Sequence, residues 1–202
     1  MSATSLLVAT ANTYKLAEYA TLLAHVPAQL LSLRDVALAA LPEETGETFE
    51  ENALLKARFC ARETGLLSLS DDSGLEVDIL GGEPGVRSNR WAGPNLSDAD
   101  RVRLLLERLR GVPEDERSAR FVCVVAVVLP DGAERTFRGT LEGRLATEPR
   151  GEGGFGYDPV LYVPELGRTV GELSPGEKNR ISHRARAARA AVPWLRGHIL
   201  SG

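Results

Sequence analysis

The sequence contains few cysteines and no long apolar segment. Cys60 and Cys123 are the only cysteines among the 202 residues. Both lie in apolar, periodic segments, which predicts two buried free thiols. The longest apolar run, residues 121–129, is too short to cross a membrane and suits a buried strand. The first residues show no basic region followed by an apolar stretch and a small-residue cleavage site. We therefore expect a cytoplasmic protein without a membrane partner.

An excess of positive charge is also absent. The net charge of -4 gives the molecule no general attraction to nucleic acid or anionic membranes, so any anion site must be built locally. The composition of 43% hydrophobic and 26% charged residues is typical of a globular protein. The length suits one domain, which can fold as two lobes and can bury a core without disulfides or structural metals.

Hydrophobic periodicity and capping residues predict alternating strands and helices. Thr48, with Glu51 three residues later, predicts a helix start, and Gly65 predicts its end. The predicted strands are residues 5–9, 28–33, 66–70, 75–80, 121–129, 134–145 and 160–163, and the predicted helices are 14–24, 48–64, 98–110 and 174–191. No linker or repeat divides the chain. We expect a single α/β domain over residues 1–202, with a mixed central sheet and helices packed on it.

Polar residues surround the predicted start of the first helix. Thr10, Asn12 and Lys15 lie where strand turns into helix. Amide groups at a helix N-terminus and the helix dipole attract anions, and these side chains add donors and a positive charge. An ordinary capped helix with a surface lysine has the same pattern. Taken alone, the segment favours that simpler interpretation.

Carboxylates cluster at two places in the first half of the chain. Asp71 and Asp72 follow a predicted strand, and Glu43 and Glu44 lie in an acidic loop. Magnesium takes one or two protein carboxylates and completes its octahedron with substrate phosphates and water. Asp71 to Gly74 is also good turn chemistry, and the two interpretations are about equally supported. Lys56 follows Asn52 by four residues and therefore lies on the same helix face. It could contact a phosphate bound to such a metal. For the helix taken alone, a solvated polar face is the simpler interpretation.

A glycine-rich loop follows in the second half. Residues 151–156 match G-x-G-x-x-G, but the helix that a dinucleotide-binding fold requires does not follow. Phe155 and Tyr157 are available to stack on a base. The alternative is a flexible surface loop, which two aromatic residues among four glycines make less attractive.

The last predicted helix is rich in basic residues, including Lys178, His183 and Arg184. It can be a nucleic-acid face, a solvated face, or a set of donors to a nucleotide. Adjacent helical residues point about 100° apart, so the third interpretation requires a break in the helix. We predict such a break near Ser182.

Five segments, taken together and in this order, resemble the inosine triphosphate pyrophosphatase family, also called dITP/XTP pyrophosphatases. They are T-A-N-T-Y-K at residues 10–15, E-E-T-G with E-N-A and K-A within residues 43–57, D-D-S-G at 71–74, G-G-F-G-Y-D-P at 153–159, and E-K with S-H-R within 177–184.

The resemblance implies a set of site residues. Asp72 is implied as a magnesium ligand and proton acceptor, Glu43 or Glu44 as a second metal ligand, and Lys56 as a catalytic cation facing the leaving pyrophosphate. The implied substrate contacts are Thr10, Asn12, Lys15, Ser73, Arg90, Phe155, Gly156, Tyr157, Asp158, Lys178, His183 and Arg184.

The resemblance also implies a reaction and an architecture. The reaction is hydrolysis of ITP, dITP and XTP to the monophosphate and pyrophosphate, with Mg²⁺ as cofactor. The implied architecture is an elongated sheet in two lobes around a nucleotide-binding cleft, in a homodimer. Donors on His183 and Arg184 would pair with a 6-oxo group and leave the adenine amine unpaired.

Three alternatives remain open. The first is a Maf-type pyrophosphatase for modified pyrimidine triphosphates, against which the S-H-R segment argues. The second is a nucleic-acid binder that uses the basic helix, which the net charge of -4 disfavours. The third is a nucleotide sensor that binds without turnover.

Overall fold

A computed structural model of the protein describes residues 4–93 and 96–201. Among these residues the strands form a seven-stranded sheet in the order β2-β1-β3-β4-β5-β6-β7. The strands are β1 (Ser5–Val8), β2 (Gln29–Leu31), β3 (Leu67–Val77), β4 (Ser118–Val128), β5 (Glu134–Leu145), β6 (Leu161–Val163) and β7 (Arg168–Thr169). β1 pairs in parallel with β2 and β3, whereas β6 pairs antiparallel with β5 and β7. The predicted mixed sheet is confirmed.

Five α-helices accompany this sheet in the described ranges. They are α1 (Thr13–Leu22), α2 (Phe49–Thr64), α3 (Asp98–Arg108), α4 (Pro175–Ile181) and α5 (His183–Ser201). The same ranges contain no helix with both the length and the apolar character needed to cross a bilayer.

The chain forms two compact units. The first comprises residues 4–72, 123–139 and 183–201, and the second comprises residues 73–93, 96–122 and 140–182. Each unit has its own hydrophobic core.

The core of the first unit lies on both faces of β1. Leu6 and Val8 belong to a cluster with buried residues of α1 and α5, whereas Leu7 packs in a cluster with Cys60 of α2. Because successive strand residues point to opposite faces, this alternation means that helices cover the strand on both sides. The continuous apolar run of β1 follows from that arrangement.

The core of the second unit forms around α3. Val102, Leu105 and Leu109 pack with apolar residues from the second-unit parts of β3, β4 and β5, and with Tyr157. Arg117 is buried beside this core, where its guanidinium donates to the carbonyls of Leu109, Val112 and Ala146 at 3.0 to 3.3 Å.

The capping signals are confirmed at helix starts in both units. Thr48 and Glu51 form the predicted capping box of α2, and Gly65 ends that helix in the left-handed conformation. Ser97 and Ser174 cap α3 and α4 in the same way.

One predicted interruption of the sheet is wrong. The two strands expected at residues 66–70 and 75–80 are not separated by a turn at Asp71 to Gly74, because β3 continues as one strand from Leu67 to Val77. The carboxylates of both aspartates pair with side chains of neighbouring helices. With these partners, they do not depend on the local backbone N–H groups that a turn would offer.

Candidate active site

Two adjacent aspartates of β3 enter different environments. Asp71 meets α1 and α5, whereas Asp72 meets α2. The alternation of strand side chains causes this separation. Both carboxylates belong to the first unit and are buried, with Asp71 2% and Asp72 5% exposed.

Asp71 is surrounded by cations. Its Oδ2 atom lies 3.0 Å from Nζ of Lys15 and accepts hydrogen bonds of 3.3 Å from Nε and Nη2 of Arg184. Burial alone would raise the pKa of Asp71, but the charges of Lys15 and Arg184 lower that pKa well below its usual value. Asp71 is therefore a fixed anion in the folded protein.

The surroundings of Asp72 include both influences that raise its pKa and influences that lower it. Its Oδ2 accepts a 3.0 Å hydrogen bond from Nδ2 of Asn52, which is itself fully buried. Burial raises the pKa of Asp72, and the charge of Glu44 raises it further, whereas Lys56 and the Asn52 hydrogen bond lower it. The net effect is a raised pKa. Two neighbouring carboxylates with pKa values shifted in opposite directions are typical of sites that divide structural and proton-accepting roles.

The acidic loop is held against α2 by side chains of that helix. Asn52 Oδ1 accepts the N–H of Gly46 at 2.8 Å, and Lys56 forms an ion pair with Glu44. A Cβ added at Gly46 would lie 2.7 Å from Asn52 Oδ1, so glycine is required for this close approach. Glu44, Lys56 and Asp72 are thereby brought together, whereas Glu43 is exposed to solvent.

The carboxylates of Asp72 and Glu44 fit a hard divalent cation. Burial is the main cause of the raised pKa of Asp72, and the negative charge of Glu44 raises it further; a bound cation would relieve that repulsion. The described residues contain no cluster of three or more His, Cys, Asp or Glu side chains that could hold a metal. Two carboxylates are sufficient for magnesium, which takes its remaining ligands from phosphate and water.

The N-terminus of α1 is capped by its own side chains. Asn12 Oδ1 accepts the N–H groups of Tyr14 and Lys15 at 2.9 and 3.1 Å, and Thr10 Oγ1 accepts the N–H of Asn12 at 3.2 Å. The predicted anion site thus has fewer open amides than the sequence pattern indicates. Its lysine is directed by the ion pair with Asp71.

In the second unit, Lys178 and Asp158 form a buried ion pair. Lys178 Nζ lies 2.7 Å from Asp158 Oδ2 and 4.5 Å from the centroid of the Phe155 ring. The same carboxylate oxygen accepts the N–H of Phe155 at 2.9 Å. Three of the predicted substrate contacts are therefore joined in one group, with the Phe155 ring half-buried beneath a cation.

The other predicted residues of this unit have different surroundings. Tyr157 is buried and donates its hydroxyl to the carbonyl of Ser88 at 3.0 Å, and burial raises its pKa to about 12. Of the two candidate aromatics, Phe155 is consequently the more open to a base. Gly156 donates its N–H to Asp98. Ser73 is half-buried on β3, and Arg90 is exposed.

The predicted helix break is confirmed at Ser182. α4 ends at Ile181, Ser182 is extended with φ −61° and ψ 155°, and α5 begins at His183. Both His183 and Arg184 are buried in the first unit. The Nη1 atom of Arg184 donates to Glu18 at 2.6 Å, so its guanidinium is held by two carboxylates.

Four residues with clear roles in this geometry were given no role among the implied site residues: Asp71, Glu18, Asn52 and Ser88. The Asp71-Asp72 pair and the i, i+4 spacing of Asn52 and Lys56 had drawn attention to Asp71 and Asn52, whereas no pattern indicated Glu18 or Ser88. Contacts such as Arg184 with Asp71, at positions far apart in the chain, leave no local pattern.

Fold and site together define an α/β protein with carboxylates suited to a hard cation and with lysines suited to an anion. Residues 6–194 match the model of the Ham1 family, and the chain belongs to that family. A relative from Symbiobacterium thermophilum, named dITP/XTP pyrophosphatase, is 56% identical, covering 96% of each chain. A relative of the same name from Thermus thermophilus is 51% identical, covering 92% of this chain and 88% of its own.

Solved structures agree with this assignment. A HAM1 protein from Coxiella burnetii has a TM-score of 0.88 and 43% identity, over 96% of this chain and 99% of its own. A nucleoside-triphosphatase / dITP/XTP pyrophosphatase from Mycobacterium abscessus has a TM-score of 0.76 and 44% identity, over 94% and 99% of the two chains.

Proposed function

We propose that the protein hydrolyses non-standard purine nucleoside triphosphates, namely dITP, ITP and XTP, to the monophosphate and pyrophosphate. The observation that carries the proposal is the group of Asp72, Glu44, Lys56 and Asn52, in which two carboxylates and a lysine meet around a buried asparagine. Relatives at about half identity that carry the name dITP/XTP pyrophosphatase support the substrate class.

The first unit supplies residues for the metal and the phosphates. Asp72, or a water held by it, accepts a proton from the attacking water. Lys56 and Lys15 offset negative charge as the pyrophosphate leaves. Thr10 and Asn12 shape the turn that precedes Lys15 and contribute polar groups to the phosphates.

A divalent cation accompanies this chemistry. Pyrophosphatases of this family are metal-dependent enzymes, and we propose Mg²⁺, held by Asp72 with Glu44 or Glu43. When bound, the ion polarises phosphate oxygens and offsets charge in the transition state. Glu44 is favoured over Glu43 because its charge acts on Asp72, whereas Glu43 is exposed to solvent.

Other residues distinguish the base. The ring of Phe155 stacks on the purine, and Lys178, held by Asp158, contributes a donor to the base edge, with Gly156, Tyr157, Ser73 and Arg90 in supporting contacts. His183 and Arg184 offer donors to a 6-oxo group. A site that hydrogen-bonds a 6-oxo acceptor leaves an adenine amine unpaired, and such a mismatch can discriminate by roughly 10⁴.

Pyrophosphate release from purified protein tests the proposal. We expect release from ITP, dITP and XTP with Mg²⁺, little release from ATP, and loss of release with a chelator. Release only from modified pyrimidine triphosphates would instead indicate a Maf-type enzyme. Binding of ITP without release would indicate a sensor, and retention on nucleic acid without release would indicate a nucleic-acid binder.

Single substitutions assign the roles. Asp72→Asn should abolish turnover and leave the melting temperature near that of the parent protein; near-normal turnover would remove Asp72 from the chemistry. Glu44→Gln should raise the Mg²⁺ concentration needed for half-maximal activity, whereas Glu43→Gln, a matched control on the neighbouring exposed residue, should not. The reverse result would assign the second ligand to Glu43.

We further propose a homodimer that acts in the cytoplasm on free nucleotides rather than on nucleic acid. Light scattering on the purified protein measures the oligomeric state, and a monomer at working concentration would reject the dimer.

A further inference from the structure

The side chain of Asp71 is fully buried, and it contacts two residues proposed to bind substrate. Its carboxylate is fully buried, with a side-chain exposure of 0%. One oxygen, Oδ2, lies 3.0 Å from Lys15 Nζ and 3.3 Å from both Nε and Nη2 of Arg184. Lys15 is one of the residues proposed to bind the phosphates, and Arg184 is one of those proposed to bind the base. A single oxygen atom therefore links them.

The cluster has balanced charge and a fixed geometry. Two cations, Lys15 and Arg184, face two anions, Asp71 and Glu18, and Glu18 takes the remaining guanidinium end at 2.6 Å. The side chains of Arg184 and Lys15 are 1% and 12% exposed. Four elements meet here, namely β3, α1, α5 and β4. The last contributes Cys123, whose Sγ lies 3.6 Å from Asp71 Oδ2. Close packing on all sides leaves these long side chains few alternative rotamers.

The loss of Asp71 would leave two like charges facing each other out of water. Removing one member of a buried ion pair leaves its partner uncompensated, and this outcome is strongly unfavourable. Lys15 and Arg184 would relax by moving apart. Both would then lose the directions in which they meet the substrate, although neither side chain had been altered.

We propose that Asp71 is a positioning residue that sets the orientation of both Lys15 and Arg184, and thereby couples phosphate binding to discrimination of the base. This inference rests on the proposed pyrophosphatase function. It assigns to Asp71 no contact with substrate and no proton transfer, which separates its role from that of Asp72.

The test is the selectivity of Asp71→Asn, defined as kcat/KM for ITP divided by kcat/KM for ATP. A fold that is merely weakened lowers the fraction of active enzyme, which reduces kcat for both substrates equally and leaves both KM and this ratio unchanged. A positioning role predicts a fall in the ratio of about tenfold, together with a raised KM for ITP, as expected when a charge-assisted hydrogen bond is lost. An unchanged ratio and KM in a folded variant would overturn the proposal.

A second variant covers the case in which Asp71→Asn does not fold. Glu18→Gln removes the outer carboxylate, which is 14% exposed and pairs with Arg184, whereas Lys15 pairs with Asp71. We expect a reduced selectivity ratio with a KM for ITP that changes less than twofold, and a wild-type ratio would refute the claim that this carboxylate cluster orients Arg184 for discrimination of the base. The parent protein is assayed first, because its failure to release pyrophosphate from ITP refutes the proposed function instead.

Discussion

Substitution of Gly154 by alanine tests the arrangement of the glycine loop with the least change in chemistry. Gly154 has a φ of +77°, and an added Cβ would lie 1.9 Å from Oδ2 of Asp158. That oxygen accepts hydrogen bonds from Phe155 N and Lys178 Nζ. Asp158 must therefore rotate, and both the ring and the ammonium group lose their common anchor.

The magnitude follows from these contacts. A hydrogen bond to a charged group contributes about 1.5–3 kcal/mol, so kcat/KM for ITP should fall roughly 10- to 150-fold, mainly through KM. The left-handed backbone adds a cost of about 1–2 kcal/mol in stability, which lowers the melting temperature by a few degrees in a chain of this size.

Steady-state kinetics with ITP and a thermal melt supply both numbers. Gly176→Ala is the matched control, because Gly176 lies in the first turn of α4 and an added Cβ there meets nothing within 4 Å. It should behave like the parent protein. A folded Gly154→Ala variant with a parental KM would show that Asp158 does not hold Phe155 and Lys178 for the substrate.

Further predictions concern stability and thiol reactivity. Arg117→Ala removes the three hydrogen bonds that the guanidinium donates to the carbonyls of Leu109, Val112 and Ala146, and it should cost about 2–4 kcal/mol in the free energy of unfolding, measured by urea denaturation. Arg110→Ala at an exposed position should change that free energy by less than about 0.5 kcal/mol, and equal effects would refute the assignment. Thr48→Ala removes the cap of α2 and should cost about 1 kcal/mol in the same assay, and no loss would contradict the capping role. Burial raises the pKa of Cys60 to about 11 and that of Cys123 higher still. Because the reactive thiolate forms only as pH rises towards those values, both thiols should resist a disulfide reagent at pH 8 and react fully in guanidinium. Rapid labelling of the native protein would contradict their burial.

Much of the fold was predictable because its signals are local. The capping box at Thr48 and the left-handed Gly65 specify the ends of α2 within the segment itself. The proline after Ser174 likewise specifies the start of α4. At these positions propensity and tertiary structure agree.

The predicted break between strands 66–70 and 75–80, at Asp71 to Gly74, is absent because its residues have long-range partners. Asp-Asp-Ser-Gly favours a turn when only neighbouring backbone groups compete for the carboxylates. In the folded chain, Lys15, Arg184 and Asn52 provide stronger partners from three helices, and the segment stays extended. No local pattern contains that information.

The residues of the candidate site were largely predictable from the sequence, whereas the contacts between them were less so. The break at Ser182 followed from the direction of helical side chains and is confirmed. The joint contact of Asp158 with Lys178 and Phe155 was not predicted, because it depends on a loop conformation set by glycines with positive φ.

The proposed enzyme cleaves between the α- and β-phosphates of a 6-oxo purine triphosphate. The most direct measurement is a competition between equal concentrations of dITP and dATP, with Mg²⁺, in ¹⁸O-labelled water, followed by mass spectrometry of the products. Attack at the α-phosphorus predicts ¹⁸O in dIMP, unlabelled pyrophosphate, and dATP left largely intact. Label in pyrophosphate or orthophosphate, or equal consumption of dATP, would contradict the account.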